Sequence, residues 1–307
     1  MADPLVSIVI PSYNQGKYIR ETIDSILAQD YRPIEVIVQD GASTDETVDV
    51  LRSYGDRAEL QWRSEPDKGV VDAVNRGLAR AIGSIVAIQS SDDTYLPGAI
   101  RAAVDAFASD ATLGLVYGDV EYIDAASRVT GRTTLPPYDL LSYLSKETFI
   151  PQPAAFFTKA AADRAGGWRA EISYAADADF YLRIATIAEA RKLDALLGQY
   201  RYHEEQRDRI GKRISDDWEK AVRGWMAESQ PTRAMRRSAV AGIHLTHAHY
   251  LADAQWPRRT LELYRALVAS PLVLARPDFP RRELIPGRVP IWRVLSRVKR
   301  ALGFEPR

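Results

Sequence analysis

The chain has 307 residues, 46% of them hydrophobic and 27% charged, with 41 basic side chains set against 41 acidic ones. That balance supplies no whole-chain field for nucleic acid, and the lack of any cysteine excludes a disulfide framework, a thiolate metal site and a cysteine nucleophile. No basic n-region precedes the short apolar run at residues 5–10, and no stretch approaches the ~20 apolar residues of a membrane span. The expectation is a soluble, cytoplasmic protein.

Residues 5–10 form an apolar run rich in β-branched side chains, of the kind that fills a parallel sheet. Residues 18–29 place Ile19, Ile23, Ile26 and Leu27 on one helical face. A second strand is predicted over 35–39 and a second helix over 43–54, opened by a capping box of Ser43 with Glu46. A third strand over 60–63, a third helix over 70–81 and a fourth strand over 84–89 complete a βαβαβαβ order. That order implies an α/β, doubly wound, mainly parallel sheet with right-handed crossovers.

The rhythm breaks after about Asp110. Short strands over 113–117 and 120–123 flank Gly118-Asp119, and a hairpin turn follows at 125–128. A short helix over 138–144, a strand over 154–158, a helix over 178–188 and a strand over 196–202 predict a smaller mixed sheet. From Asp216 the pattern is helical, with Trp218, Val222 and Trp225 on one face. The last 27 residues carry eight basic side chains against Glu283 and Glu305. The expected organisation is a catalytic domain over 1–205, in halves 1–110 and 111–205, and a helical extension over 206–307.

Open α/β sheets bind ligands at the carboxyl ends of their strands, and the polar loops there carry the chemistry. The first, PSYNQGKY, is not a glycine-rich dinucleotide fingerprint, which argues against a nicotinamide or flavin enzyme. Pro11 ends the strand, while Tyr13 and Asn14 present a ring and an amide suited to a nucleobase or ribose; an ordinary turn is the competing reading. Asp40 emerges at the same edge, where it can accept from a base N–H, whereas Asp45 reads as a first-turn acid. In EPDKGVVDAVNRG, Asp67, Lys68 and Gly69 lead into a helix bearing Asp72 and Asn75. Lys68 or Arg76 could meet phosphate beside the helix N-terminus; for Lys68 a solvated loop is the alternative. Finally, the strand of SIVAIQSSDDTYLPG runs into Ser90, Ser91, Asp92 and Asp93, hard oxygen donors suited to Mg²⁺ or Mn²⁺ carrying a phosphorylated substrate.

Together VSIVIPSYNQGKYIRETIDSIL, EVIVQDGASTDET, EPDKGVVDAVNRGLARAIG and SSDDTYLPG resemble the family 2 glycosyltransferases of the GT-A fold over roughly residues 5–205. These are inverting enzymes that use nucleotide-sugars. The resemblance implies that Pro11, Tyr13, Asn14 and Asp40 hold the nucleoside. Asp67, Lys68, Asp72, Asn75, Ser91 and Asp92 join them as candidates for nucleotide-sugar binding. It also implies that the acidic loop is the DxD-type metal motif, with Ser90 in its first position, Asp92 as the metal-binding acid and Asp93 beside it. GGWRAEISYAADADFYLRIA resembles the segment in which an acidic pair precedes a helix; here the pair is Ala176-Asp177, leaving Asp177 as candidate general base and Asp179 as a helix anchor. RYHEEQ resembles the end of the catalytic domain, where a histidine joins the metal shell, so His203 is a candidate ligand, with simple exposure as the alternative. Gln152-Pro153 resembles the acceptor-side segment, with a polar loop as the alternative.

The expected activity is non-processive, inverting transfer of a sugar from a nucleotide-diphosphate sugar, a UDP-sugar foremost, to a hydroxyl of a saccharide or lipid-linked saccharide. Mn²⁺ or Mg²⁺ is the expected cofactor and bacterial polysaccharide or glycolipid assembly the expected setting. A QxxRW motif, typical of processive synthases, is absent. Two alternatives stand beside this: an inactive nucleotide-sugar-binding or scaffold protein, because Ser90 and Ala176 replace acids, and a sugar nucleotidyltransferase. No nucleic-acid partner is expected. Residues 289–302 place Ile291, Trp292, Leu295, Val298 and Leu302 on one helical face with basic residues on the others. That pattern predicts a peripheral contact with the inner face of a membrane, or packing on the catalytic domain.

Overall fold

The computed structural model describes residues 3–204, 211–251, 255–276 and 279–280. The basic tail and its predicted membrane-facing helix over 289–302 lie outside the described residues. The chain divides into two units, Met1–Tyr138 with Ile150–Arg207, and Asp139–Phe149 with Asp208–Arg307. The segment 139–149, read from sequence as part of the catalytic domain, thus groups with the C-terminal helices.

In the first unit β1 (Val6–Ser12), α1 (Ile19–Leu27), β2 (Ile34–Asp40), α2 (Thr47–Arg52), β3 (Leu60–Ser64), α3 (Val70–Arg80) and β4 (Ile85–Ile88) alternate as predicted. β1 lies between β2 and β4, β3 lies outside β2, and all four run parallel. Because side chains alternate across a strand, the runs of Val and Ile feed both faces. Val6, Ile8 and Ile10 join Ile19, Ile23 and Ile26 of α1 in one core cluster, while Val9 on the other face lies under α3 at Gly77. Strands buried on both faces therefore need continuous apolar sequence, and that is why this half is legible.

The second half continues the same sheet. After β4 come β5 (Thr94–Tyr95), α4 (Ala99–Ser109), β6 (Leu113–Asp124) and β7 (Val129–Arg132). There follow α5 (Leu140–Leu144), which belongs to the second unit, a 3₁₀ turn (Gln152–Ala154), β8 (Ala155–Thr158), α6 (Lys159–Ala165), α7 (Ala176–Ile187) and β9 (Glu189–Tyr202). The strand order is β3-β2-β1-β4-β8-β6-β9-β5, with β7 on β6. β8 is antiparallel to β4 and β6, β9 is parallel to β6, and β5 is antiparallel to β9.

Three predicted elements change. The two short strands around Gly118-Asp119 are one strand, β6, whose register against β9 shifts there. A Cβ at Gly118 would lie 2.5 Å from the Ala195 carbonyl oxygen, so the glycine marks a close strand approach rather than a turn. β9 starts at Glu189, not 196, and β5 and α6 are additional to the predicted elements.

In the second unit α8 (Gly211–Ser229) and α9 (Arg233–Tyr250) precede α10 (Trp256–Ala269). Trp218 is fully buried and meets Tyr143 of α5 edge-on at 5.8 Å, as its helical stripe predicts. Ala241 and Ala248 of α9 pack with Leu263, Tyr264 and Leu267 of α10. Among the described residues no helix is long and apolar enough to cross a membrane.

Candidate active site

The ends of β1 and β2 lie side by side, with Ser12 opposite Asp40 and the Gly41 N–H donating to the Ser12 carbonyl at 2.8 Å. Pro11 is buried in β1, and Tyr13 is 60% exposed, its ring facing solvent. Asn14 sits at φ 52°, a left-handed conformation that asparagine tolerates. Its N–H donates to Ser43 Oγ at 2.7 Å and its Oδ1 accepts from the Thr44 N–H at 2.9 Å, so it ties the first loop to the second.

Asp40 has no exposed surface. Its Oδ2 accepts from the Ser43 N–H (2.9 Å) and the Ser64 hydroxyl (2.6 Å), and its Oδ1 from the Ser43 hydroxyl (2.5 Å). The carboxylate predicted to meet a base is here committed to holding the 41–44 loop. Ser43 is consequently not a helix cap, and the predicted capping box does not form. Asp45 takes that work: its Oδ1 accepts from the Thr47 N–H at 3.0 Å and its Oδ2 from the Gly16 N–H at 2.9 Å. Burial pushes the Asp45 carboxyl up, and the bonds from Thr47 and Gly16 more than reverse this, leaving it below the usual carboxylate range.

In the third loop Asp67 Oδ1 accepts from the Gly69 N–H at 2.7 Å, and its other oxygen lies against Gly41, where a Cβ would come within 2.8 Å. Lys68 is exposed; its N–H donates to Asp72 Oδ2 at 3.1 Å. Asp72 pairs with Arg76 at 2.7 Å, and the Lys68 amide and then Arg76 hold its carboxyl below the usual range. Asn75, predicted at the nucleotide-sugar, brackets Trp168: it donates to that residue's carbonyl and accepts from its N–H, both at 2.8 Å. Asp72, Asn75 and Arg76 thus secure α3 and the segment before α7.

The acidic loop gathers the remaining candidates. Gln152 donates to Ser90 Oγ at 3.1 Å, and Ser91 is buried. Asp92 Oδ2 lies 2.9 Å from His203 Nε2. His203 is buried rather than exposed, its ring 4.8 Å from that of Tyr18. Asp93, predicted as a second ligand, is 1% exposed; its Oδ1 accepts from the Arg201 N–H at 2.8 Å and its carbonyl accepts from the Thr22 hydroxyl at 2.7 Å. It works as a pairing group of the sheet. Among the described residues no group of three or more His, Cys, Asp or Glu comes together to hold a metal, so the acid–imidazole pair is what this loop offers.

Asp177 lies in the first turn of α7, partly exposed. One turn on, burial and then the Asp177 charge push the Tyr181 hydroxyl well above its ordinary pKa. Asp179 is fully buried and accepts from Arg183 at 2.9 Å and 2.7 Å, while Arg183 also donates to the Ala165 and Gly167 carbonyls. It is the helix anchor that the sequence suggested.

The family model described as glycosyl transferase family 2 matches residues 7–165. The chain belongs to glycosyl transferase family 2. An uncharacterised glycosyltransferase of Mycobacterium tuberculosis strain CDC 1551 is 32% identical over 200 residues, 64% of this chain and 75% of that protein. Chondroitin synthase of Escherichia coli is 30% identical over 195 residues, 63% of this chain but 28% of that larger protein. Among solved structures, S. aureus TarS 1–349 in complex with UDP-GlcNAc superposes with a TM-score of 0.65 at 18% identity, covering 98% of this chain and 93% of that one. The mannosyltransferase PcManGT of Pyrobaculum calidifontis, in complex with GDP-Man and Mn²⁺, gives 0.63 at 21% identity, covering 99% and 82%. The architecture is the GT-A fold, and this family 2 member is a glycosyltransferase.

Proposed function

We propose that this glycosyltransferase moves a sugar from a nucleotide-diphosphate donor to a hydroxyl acceptor by single displacement with inversion. The observation that carries the reading is the Asp92–His203 pair, 2.9 Å apart, at the end of the strand that carries the family's acidic loop. The Asp92 side chain keeps 15% of its surface accessible beside a nearly buried imidazole. A hard oxygen with an imidazole nitrogen is a donor set that Mn²⁺ accepts. Two side chains also suit a cation that takes its other positions from water and substrate phosphates. Asp92 and His203 would hold a divalent cation, which would offset the charge of the leaving diphosphate.

The chain's own residues do the rest. Tyr13 offers a solvent-facing ring to the nucleobase, and Asn14, Asp40 and Asp67 fix the loops that frame it. Asp177 takes the proton from the acceptor hydroxyl, whose own pKa is far too high for it to ionise unaided. Gln152, hydrogen-bonded to Ser90, lines the acceptor side. Neighbours solved with UDP-GlcNAc and GDP-Man support a nucleotide-sugar donor, and the acceptor in this reading is a saccharide or lipid-linked saccharide. In this reading the setting is cytoplasmic polysaccharide or glycolipid assembly, with residues 289–302 as the proposed contact with the membrane surface.

Release of nucleoside diphosphate from a panel of UDP- and GDP-sugars with Mn²⁺ tests the donor class. Asp177→Asn should keep donor affinity and lose ~10²–10⁴-fold in transfer. Donor affinity that collapses in this variant would move Asp177 out of the base role.

A further inference from the structure

The acidic loop is held by the first residue of the RYHEEQ segment, to which the sequence assigned no role of its own. Arg201, in β9 two residues before His203, has no exposed surface. Its Nε donates to the Asp92 carbonyl at 2.7 Å, its Nη1 to Ser127 Oγ at 2.8 Å and the Asp124 carbonyl at 3.2 Å, and its Nη2 to Glu21 Oε2 at 2.7 Å. The Ser127 hydroxyl donates to the same Glu21 oxygen at 2.9 Å, and Ser127 sits at φ 60°, in the strained left-handed region. The guanidinium also lies 4.9 Å from the centre of the Tyr18 ring, the ring that packs on His203. One cation therefore touches the backbone of Asp92, the aromatic neighbour of His203, the β6–β7 turn and α1.

A buried guanidinium is expensive unless its donors are satisfied. An arginine is also the only side chain whose planar fork can meet this many acceptors at once. An apolar residue would fill the space more cheaply if packing were all that was needed. We propose that Arg201 is a positioning residue for transfer, one that sets Asp92 and His203 as a pair by fixing the main chain of the first and the ring neighbour of the second. This rests on the donor reading above. Groups that orient metal-binding side chains typically govern affinity or activity by ~10–100-fold.

The test uses the full chain, Mn²⁺, and UDP or GDP, whichever the wild type binds. Arg201→Lys and Arg201→Met should raise the Mn²⁺ concentration needed for half-maximal nucleotide binding by ~10–100-fold, while nucleotide affinity in the presence of chelator stays as in wild type. Lys should recover part of what Met loses. Should the Arg201 variants not fold, Glu21→Gln and Ser127→Ala leave Arg201 in place but slacken its grip, and should raise the same Mn²⁺ requirement by a smaller factor. Wild-type Mn²⁺ dependence in the folded variants, with lowered thermal stability alone, overturns the assignment while the donor reading stands. A wild-type chain that binds neither nucleotide with Mn²⁺ overturns both.

Discussion

Replacing Asp40 by Asn separates two accounts of the same carboxylate. In one it is a nucleobase acceptor; in the other, supported by its geometry, it is the internal tie of the 41–44 loop. The buried carboxylate accepts three hydrogen bonds, from the Ser43 N–H, the Ser43 hydroxyl and the Ser64 hydroxyl. An amide can keep its oxygen on the Ser43 N–H, and hydroxyls can rotate to accept from its NH₂, so no donor need be orphaned. What goes is charge assistance, about 1 kcal/mol per bond. Three bonds give about 3 kcal/mol, which for a domain of this size lowers Tm by roughly 6–12 °C. Asp40→Ala should cost more, because the Ser43 N–H then loses its acceptor inside the protein. The assay is a thermal melt in the absence and presence of saturating UDP or GDP. An Asp40→Asn protein that melts within about 1 °C of wild type but binds nucleotide far more weakly would refute the tie and restore direct base contact.

The remaining predictions are narrower. Asp92→Asn should remove the Mn²⁺ dependence of nucleotide binding without changing the fold, and full turnover of this variant in chelator would exclude a cation there. Asp119 accepts from Lys192 at 2.8 Å, from Thr133 at 2.8 Å and from the Leu135 N–H at 2.7 Å. Burial pushes its carboxyl up, and these three partners outweigh it, so the folded pKa lies below the usual carboxylate value. Its contribution is complete above about pH 4 and is lost as pH falls through the depressed value. Asp119→Asn should therefore lower stability at neutral pH and flatten the acid limb in urea melts; an unchanged limb would argue against the pair. For the tail, flotation with anionic vesicles should recover the full chain and lose one truncated after Pro286, with salt weakening the contact, at ~1 kcal/mol per basic side chain; equal recovery assigns the tail to packing.

The parallel half of the fold was readable because β1, β2 and β4 are buried on both faces and so have an uninterrupted apolar signature, while the mostly exposed edge strand β3 was marked only by its place in the alternation. β9 was not: its first half, EARKLDA, is exposed or half-exposed, so charge interrupts the pattern although its backbone pairs with β6. Gly118-Asp119 imitates a turn because a glycine needed for close strand approach carries the same letter as one needed for a bend. Within the site, sequence brought Asp92 and His203 forward as one set, and they meet. Sequence could not say that Asp93, its equal in charge, is turned into the sheet, because a one-residue step in a loop ahead of a strand reverses the direction of a side chain. Asp40, Asp72 and Asn75 sit where their motifs place them, yet their polar atoms bond the protein itself. Residue type alone does not reveal which partner a hydrogen-bonding group will choose. Arg201 had only its neighbourhood to mark it.

The acidic loop has a further role as a length of chain. β4 and β5 are separated in the sheet by β8, β6 and β9. Four spacings of about 4.8 Å would set them roughly 19 Å apart in a flat sheet. Between Ile88 and Thr94 the backbone spends part of its reach in a turn, where the Asp93 N–H donates to the Ser90 carbonyl at 3.3 Å. With that turn closed, the segment extends to about 18 Å at most. A connection that short keeps the edge strand β5 within about one chain-length of β4, at the middle of the sheet. β4, β8, β6, β9, β5 and the loop form a hoop, one link of which is covalent. The curvature of the domain and the placement of Asp92 are in this sense the same variable: a residue added to the loop slackens the hoop, and one removed tightens it.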